Sequence, residues 1–492
     1  MDRSELEAIY DDGRERCVGF MAELVASVEL LTAGSRQLED RVRRLEAQAR
    51  QDSRTSSKPP SQDPPKTRQQ RRAEARAKAK ELLAKQGAAK RQAGAQKGHP
   101  GAGRRLAPED QVDEIVEHYP PACGGCGRGF SEDEQRPGRR FGRHQLVELP
   151  PISVLLVEHR TFRLRCPECK ARTTATLPAQ ITGSVFGPRL RAALVTLTAR
   201  NRISRRAAAE LAGELFGAGL SVGTVDAICQ DASGVLAGPY QQLREWILAQ
   251  GALHTDETGW RTAGDSRALW TLSTEGGSIF EIAERCNREQ FDELIGGYDG
   301  IVVSDRWAGY NHLEPERRQV CWSHLQRDFR RHSEGLAEQK AFGEQGLKLA
   351  GLVFGSWRAY QHEHHDRDRL IAEIAPIQTE LRTLLEHAGR QSKRTRFHRV
   401  FANNLIKIWP ALWTFVTVNG VEPTNNPAER ALRSPVIHRK LSHGTRTDDG
   451  ERFAERALSA AATCRQQGRS LFEFLTELIT AHNRGDPLPA LT

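Results

Sequence analysis

The sequence predicts a multidomain α/β and α chain, in which several helical regions accompany one region of alternating strands and helices. Three observations predict this class. Leucines recur every seven residues near the N-terminus, two CxxC steps bracket β-like runs, and two short apolar runs in the second half end in carboxylates. At 492 residues the chain is long enough for about three domains and at least one sizeable core.

The composition narrows the class of protein. Hydrophobic residues make up 38% of the chain and charged residues 27%, which fits a soluble protein. We expect no membrane span, because no uninterrupted apolar stretch approaches about 18 residues. The first twelve residues include five acids and no apolar segment, so we expect no secretory signal and a cytoplasmic location.

Residues 1–50 are predicted to form a coiled coil. One heptad position holds four leucines and the other holds Met and Val; the seven residues are Leu24, Leu31, Leu38, Leu45, Met21, Val28 and Val42. Gly34 and Ser35 weaken this seam at its centre, so a lone amphipathic helix packed on its own chain stays an alternative. The favoured interpretation is self-association into a homodimer or a higher homo-oligomer.

Residues 51–110 are predicted to be a basic disordered linker. From Gln51 to Arg105 the chain has fifteen Lys or Arg against four Asp or Glu, a net charge of +11 in a chain whose total is +9. Proline pairs and repeated Ala, Gln and Gly argue against a packed core. A flexible polycation gains affinity for phosphates by releasing counterions, so the segment is either a solvated linker or a DNA or RNA clamp.

Residues 111–182 are predicted to be a zinc ribbon. Two CxxC steps flank the β-like runs Ile152–Val157 and Phe162–Arg165, and each step presents two sulfurs to one ion. The four predicted Zn²⁺ ligands are Cys123, Cys126, Cys166 and Cys169. Four thiolates leave no open position for a substrate water, so this zinc is structural. The alternative is four unrelated thiols.

Residues 183–245 are predicted to be a helical domain that resembles a helix-turn-helix. A helical run from Ile203 to Ala212 is followed by a glycine-containing turn and a second helix from Val222. Ser221 is the predicted N-cap, which places Thr224 in the first turn, where a recognition helix meets base edges. An ordinary helical hairpin is an equally open interpretation.

Two aspartates in the third region are candidate metal ligands. The run from Gly251 ends in Asp256 and Glu257, and the apolar run from Gly300 ends in Asp305. If these strands are neighbours, Asp256 and Asp305 converge at the rim of a sheet. Two nearby carboxylates repel each other unless a cation screens them, and hard oxygen ligands select Mg²⁺ or Mn²⁺.

Glu429 is the predicted third acid. It follows a polar turn, and Asn426 as N-cap with Pro427 at the first helical position would explain this glutamate by helix capping alone. The cations around it favour a functional role beside a phosphodiester. These cations are Arg430, Arg433, Arg439 and Lys440.

The step Cys321-Trp-Ser-His324 has the spacing of a metal-binding pair, but no matching pair of ligands lies nearby in sequence. The favoured interpretation is that the step supports the active site, with a strand through Gln319 leading into a basic helix. His324 and Arg327 are then predicted to contact DNA. Trp260, Trp307 and Trp322 flank the acids and would either stack on a distorted base or belong to the core.

Taken together, these motifs resemble the IS66 family of bacterial insertion-sequence transposases, which are DDE enzymes. The resemblance covers the N-terminal heptads, the Ser-Ser-Lys-Pro-Pro segment from Ser56, the paired CxxC steps, the Asp-Glu-Thr step at Asp256, the Cys-Trp-x-His step and Asn425-Asn426-x-x-Glu429-Arg430. It implies an RNase H-like catalytic core at residues 246–330 and 416–445. It also implies a helical insertion at residues 331–415, with a C-terminal helical segment at 446–492.

By this resemblance, Asp256, Asp305 and Glu429 are the catalytic triad of a DNA transposase. Two Mg²⁺ or Mn²⁺ ions held by the triad would drive strand cleavage at the element's ends and then strand transfer. The implied partners are end and target DNA and companion proteins from the same element, in a nucleoid-associated, cytoplasmic setting. The alternatives are a non-catalytic zinc-ribbon DNA-binding regulator or domesticated transposase, and another RNase H-like nuclease.

Overall fold

The computed structural model describes residues 10–49, 106–135, 142–150, 152–178, 181, 184–362, 366–391 and 396–492. Most of the predicted linker, 51–110, therefore lies outside the described residues. The chain divides into two compact units, one of residues 65–154 and the other of residues 1–64 and 155–492. The architecture is mixed α/β and mostly helical, with one five-stranded sheet at the centre of the larger unit.

The N-terminal heptads lie on a helix, and their pairing into a coiled coil stays a prediction. Helix α1 runs over Arg14–Ala49 and continues through Gly34 and Ser35, and its heptad leucines are exposed. Among the described residues, its segment 14–43 is the one helix long and apolar enough to cross a membrane, with a mean hydropathy of 1.5 over its most apolar 18 residues. Glu23 and Glu29 lie within that segment, and acidic side chains are costly inside a bilayer, so the heptads explain its apolar residues better.

The smaller unit contains the first CxxC turn and a short helix α2 at Glu132–Gln135. In the larger unit, strands β1 (Arg163–Arg165) and β2 (Arg172–Thr174) form an antiparallel hairpin that carries the second CxxC turn. The β-like run Ile152–Val157 was predicted as a strand, and that prediction is wrong. Its residues have no paired strand and their apolar side chains are exposed, because period-two patterning alone does not supply hydrogen-bond partners.

Among the described residues, four helices lie between the β1–β2 hairpin and the central sheet. Ser204 caps the second of them and Ser221 the third, each by accepting a hydrogen bond from a backbone N–H three residues later, and Gly217 ends the second with a left-handed conformation. The predicted N-cap Ser221 is thus confirmed. The four helices are α3 (Pro188–Ala199), α4 (Arg205–Phe216), α5 (Val222–Val235) and α6 (Ala237–Leu248).

The sheet has the strand order β5-β4-β3-β6-β7. Strands β3, β4 and β5 form an antiparallel meander, whereas β6 and β7 run parallel to β3. Helix α7 (Arg288–Ile295) connects the meander to β6. The strands are β3 (Ala252–Thr262), β4 (Asp265–Ser273), β5 (Ser278–Ala283), β6 (Ile301–Ser304) and β7 (Arg318–Val320).

Among the described residues, eight helices follow the sheet strands, and helices pack against both faces of the sheet. Alternation along β4 sends Trp270 and Leu272 into a core with helices α3 to α6, while Leu269 enters a second core with Leu432 and Leu458. A third core joins β6 and β7 to the helices that follow them. The helices are α8 (Trp322–Ser333), α9 (Ala337–His362), α10 (Arg367–Gly389), α11 (Arg396–Lys407), α12 (Thr414–Thr417), α13 (Asn426–Ser442), α14 (Asp448–Gln466) and α15 (Leu471–Arg484).

Candidate active site

Asp256 and Asp305 lie on neighbouring parallel strands. Strand β3 pairs with β6 from Ala252–Ile301 to His254–Val303, and two further residues along each strand reach Asp256 and Asp305. Adjacent strands are about 4.8 Å apart, so the same register brings the two aspartates side by side. The predicted convergence of these two strands is therefore present in the fold.

The prediction that Asp256 ends its strand is wrong. Strand β3 continues to Thr262, because β4 pairs with it in an antiparallel hairpin in which Asp256 opposes Thr271. The parallel ladder with β6 nevertheless stops at His254, so Asp256 lies just past that ladder. On the side that faces β6, Asp256 therefore lies beyond the β3–β6 pairing, although it is in the middle of strand β3.

The carboxyl of Asp256 is in an environment that disfavours its charged form. Burial raises its pKa well above the ordinary value, and the charges of Glu257, Asp305 and Glu429 raise it further. One opposing contact is the Glu257 N–H, which donates to Asp256 Oδ1 at 3.0 Å. The three predicted acids are therefore close enough to interact, and a bound cation would relieve their repulsion.

Glu429 lies in the first turn of helix α13. Its Oε1 accepts a hydrogen bond from Arg327 Nη2 at 2.9 Å, and His324 Nδ1 lies 3.6 Å away. The predicted capping arrangement is wrong by one residue, because the N-cap is Asn425 and no side chain caps the helix. Since the Glu429 carboxylate contacts helix α8, capping does not account for it.

Asn425 fixes the start of helix α13, a role that was not predicted from the sequence. Its side chain is fully buried, and Nδ2 donates to the Thr255 carbonyl at 2.7 Å, one residue before Asp256. Its backbone N–H donates to Cys321 Sγ at 3.1 Å. Asn425 thus connects the helix that carries Glu429 to the strand that carries Asp256. The Asn-Asn-x-x-Glu-Arg motif was the signal for it.

Glu257 is a fourth acid beside the predicted triad. Burial raises its pKa to about 7, with a further contribution from Asp305, while Tyr310 opposes the shift by donating from its hydroxyl to Oε2 at 2.8 Å. Because side chains alternate along a strand, Glu257 projects to the sheet face opposite Asp256. The Asp-Glu-Thr step includes this acid, but no function was predicted for it from the sequence.

The residues predicted to contact DNA lie on three helices. On α13, Arg430, Arg433 and Lys440 are exposed, whereas Arg439 donates to Thr258 Oγ1 at 3.2 Å and lines a cleft of about 990 Å³. His324 and Arg327 lie on α8 and face Glu429. Thr224 lies in the first turn of α5, where its N–H donates to Ser221 Oγ.

The side chains of the CxxH step and of two tryptophans are largely internal. Burial raises the pKa of Cys321 to about 11, although the N–H of Asn425 opposes the shift, and burial with the charge of Arg327 lowers the pKa of His324. Trp260 and Trp322 are buried in the core, which excludes base stacking by them in this conformation.

Each CxxC step forms a tight turn. In the first, the backbone amides of Cys126 and Gly125 lower the pKa of Cys123. In the second, the amides of Cys169 and Glu168 do the same for Cys166. Amide donors favour a thiolate, which is the form that binds metal. The zinc ribbon at residues 111–182 stays a prediction.

Two family models match the chain. One is described as "Transposase IS66 family" and matches residues 183–452, and the other is described as "Family of unknown function (DUF6444)" and matches residues 14–105. Two relatives from Sinorhizobium fredii (strain NBRC 101917 / NGR234) carry only the description "uncharacterized protein".

The first of these, y4hP, is 22% identical over 408 residues, which cover 74% of this chain and 71% of that protein. The second, y4qI, is 24% identical over 213 residues, which cover 39% of this chain and 38% of that protein. The transposase model spans more than half of the sequence, and it confirms the family resemblance of the motifs. The chain belongs to the IS66 family of transposases.

Proposed function

We propose that this protein is a DDE transposase that binds the ends of an insertion sequence, cleaves DNA strands there and joins them to target DNA. The observation that carries the proposal is the β3–β6 register, which brings Asp256 and Asp305 together. The charge of Glu429 acts on the same carboxyl group of Asp256. Family membership supports DNA as the partner and the use of a divalent metal.

The three acids fit Mg²⁺ or Mn²⁺ as resident ions. Their donors are hard carboxylate oxygens, and among the described residues no salt bridge reaches Asp256 or Asp305. Asp256 and Asp305 would hold both ions, and Glu429 would complete their coordination. Such ions activate a water or a DNA 3′-hydroxyl and stabilise the departing oxygen of an in-line displacement.

The surrounding side chains would position the DNA backbone. Arg430 and Arg433 project from α13 beside Glu429, where they can neutralise phosphates, and Arg439 lies further along the same helix. Arg327 contacts Glu429 at 2.9 Å, so it can hold this carboxylate in place or turn to a bound phosphate. His324 and Thr224 are proposed as further DNA contacts.

We propose the remaining organisation as follows. The sheet with helices on both faces is the RNase H-like core, residues 331–415 are its helical insertion, and residues 183–245 are a helix-turn-helix-like DNA-binding domain. Cys123, Cys126, Cys166 and Cys169 hold a structural Zn²⁺ ion. Residues 1–50 form a coiled coil that pairs protomers, since holding two transposon ends calls for at least two copies.

A cleavage assay on linear DNA that carries candidate ends of the element tests this function. We expect nicking that requires Mg²⁺ or Mn²⁺ and is lost in Asp305→Asn, while end binding is retained. Asp299→Asn is the matched control, because this aspartate is almost fully exposed. Specific end binding without metal-dependent nicking would favour a DNA-binding regulator, and a preference for branched DNA would favour another RNase H-like nuclease.

A further inference from the structure

Three potential metal ligands of softer chemistry meet at one side of the proposed triad. The ligand atoms of Cys321, His324 and Glu429 all lie within 4.8 Å of one another. Cys321 is the N-cap of helix α8 and His324 lies in its first turn, while Glu429 comes from the first turn of α13. The sequence offered the CxxH pair no third ligand nearby; the fold supplies one about a hundred residues later.

The cluster has features of a prepared site. Cys321 is fully buried, and its sulfur accepts the Asn425 N–H at 3.1 Å, a contact that fixes the position of the sulfur atom. His324 Nδ1 is buried and has no hydrogen-bond partner, because 3.6 Å to Glu429 Oε1 is too long. Buried ring nitrogens normally have a partner, so this atom is available to a ligand.

We infer that Cys321, His324 and Glu429 bind a thiophilic divalent cation, for which Zn²⁺ is the best fit. Zinc accepts one sulfur, one imidazole nitrogen and one carboxylate oxygen in a tetrahedral set, which leaves a fourth position for water or a phosphate oxygen. Mg²⁺ does not suit this site, because it prefers oxygen ligands throughout.

The charges of the site are compatible with this assignment. A thiolate and a carboxylate together cancel the charge of Zn²⁺, and the thiol proton is released to solvent when the metal binds. Arg327 donates to Glu429 Oε1, but a carboxylate has two oxygens, so the guanidinium can keep one of them while the metal takes the other.

The site shares Glu429 with the proposed catalytic triad. A zinc ion that holds this carboxylate withdraws it from Asp256 and Asp305, so zinc occupancy inhibits cleavage. Zinc binding stands on the cluster alone, whereas inhibition rests on the proposed function. The two parts therefore have separate readouts.

Cobalt titration tests the binding part, because Co²⁺ substitutes for Zn²⁺ and absorbs strongly when a thiolate is bound. The parent is the full-length chain in which Cys123, Cys126, Cys166 and Cys169 are all replaced by serine, which removes the predicted ribbon. We expect one equivalent of Co²⁺ with a thiolate charge-transfer band that added Zn²⁺ abolishes. Cys321→Ser and His324→Ala should each lose the band or shift it markedly.

Cys464→Ser is the matched control, because this thiol is also fully buried but lies on helix α14. It should retain the band. Thermal unfolding checks that each variant is folded, and total metal in the otherwise unmodified chain should fall by one equivalent with Cys321→Ser. No band in the parent, or the same band and metal content after Cys321→Ser and His324→Ala, overturns the site.

Inhibition is measured as the rate of Mg²⁺-dependent cleavage with added zinc, relative to the rate of the same variant without zinc. The chain with its four ribbon cysteines intact should lose activity at zinc concentrations that occupy the cobalt-defined site, and Cys321→Ser in that chain should need higher concentrations. Equal zinc sensitivity would overturn the inhibitory role. Absence of cleavage in every protein would count against the proposed function and leave the cobalt result to decide the metal site.

Discussion

Replacing Asn425 by alanine should disconnect Glu429 from the two aspartates. The amide of Asn425 donates to the Thr255 carbonyl at 2.7 Å, and both residues are fully buried. Removing the donor leaves a buried carbonyl without this partner, which costs about 1–3 kcal/mol of unfolding free energy. That is a large part of a stability of about 5–15 kcal/mol, so the change is measurable by urea denaturation followed by fluorescence of the buried tryptophans.

The effect on cleavage should exceed the effect on stability. Asn425 begins the helix that carries Glu429 and contacts the strand that carries Asp256, so its loss permits a shift of the third acid. A misplacement of about 1 Å can cost about a hundredfold in rate. Cleavage is compared at a temperature where both proteins are folded, with the exposed Asn403→Ala as control. Reduced stability with normal cleavage would refute the positioning role, and unchanged stability would refute the buried contact.

Three further perturbations test the charges and the assembly. Burial and the charges of Glu281 and Glu451 raise the pKa of Glu455 to about 7, so the stability associated with its neutral form is full below about pH 4.5 and is lost as the pH rises through 7. The urea midpoint of unfolding of Glu455→Gln should therefore fall less over this pH range than that of the parent. The glutamine amide oxygen can still accept a hydrogen bond from the Ile282 N–H. Parallel curves of midpoint against pH would contradict the raised pKa of Glu455. Arg433→Ala should weaken DNA binding and reduce the slope of the log binding constant against log salt concentration by about one, the loss expected for one phosphate contact. Arg390→Ala is the exposed control. An unchanged slope in Arg433→Ala would remove Arg433 from the interface. Deleting residues 1–48 should weaken dimerisation in analytical ultracentrifugation, and an unchanged mass in solution would contradict the coiled coil.

Local sequence patterns predicted some short apolar strands and failed for the apolar run Ile152–Val157, which has no strand partner. Strand β6 lies directly before Asp305 as expected, because this run carries its own hydrophobic signal. Strand β3 extends past Asp256 because it pairs with β4 over nine residue positions. That pairing is a property of two segments together, so the run ending at Asp256 could not define where its strand ends.

Contacts between residues distant in sequence also explain the two wrong predictions near Glu429. Asn426 was the predicted N-cap because Asn followed by Pro is a strong local signal, but Asn425 occupies that position and its amide is used by Thr255. A contact between residues 170 positions apart leaves no trace in local spacing. The third ligand for the CxxH pair was missed for the same reason, because Glu429 is distant in sequence from Cys321.

Asp256, Asp305 and Glu429 are proposed to share one divalent-metal site. Electron paramagnetic resonance of Mn²⁺ added to the full-length chain tests this proposal without DNA or turnover. Asp256→Asn, Asp305→Asn and Glu429→Gln should each weaken the same Mn²⁺ binding, whereas Asp299→Asn should not. If Glu429→Gln bound Mn²⁺ as tightly as the parent while Asp256→Asn lost it, Glu429 would lie outside the metal site and the triad would be wrong.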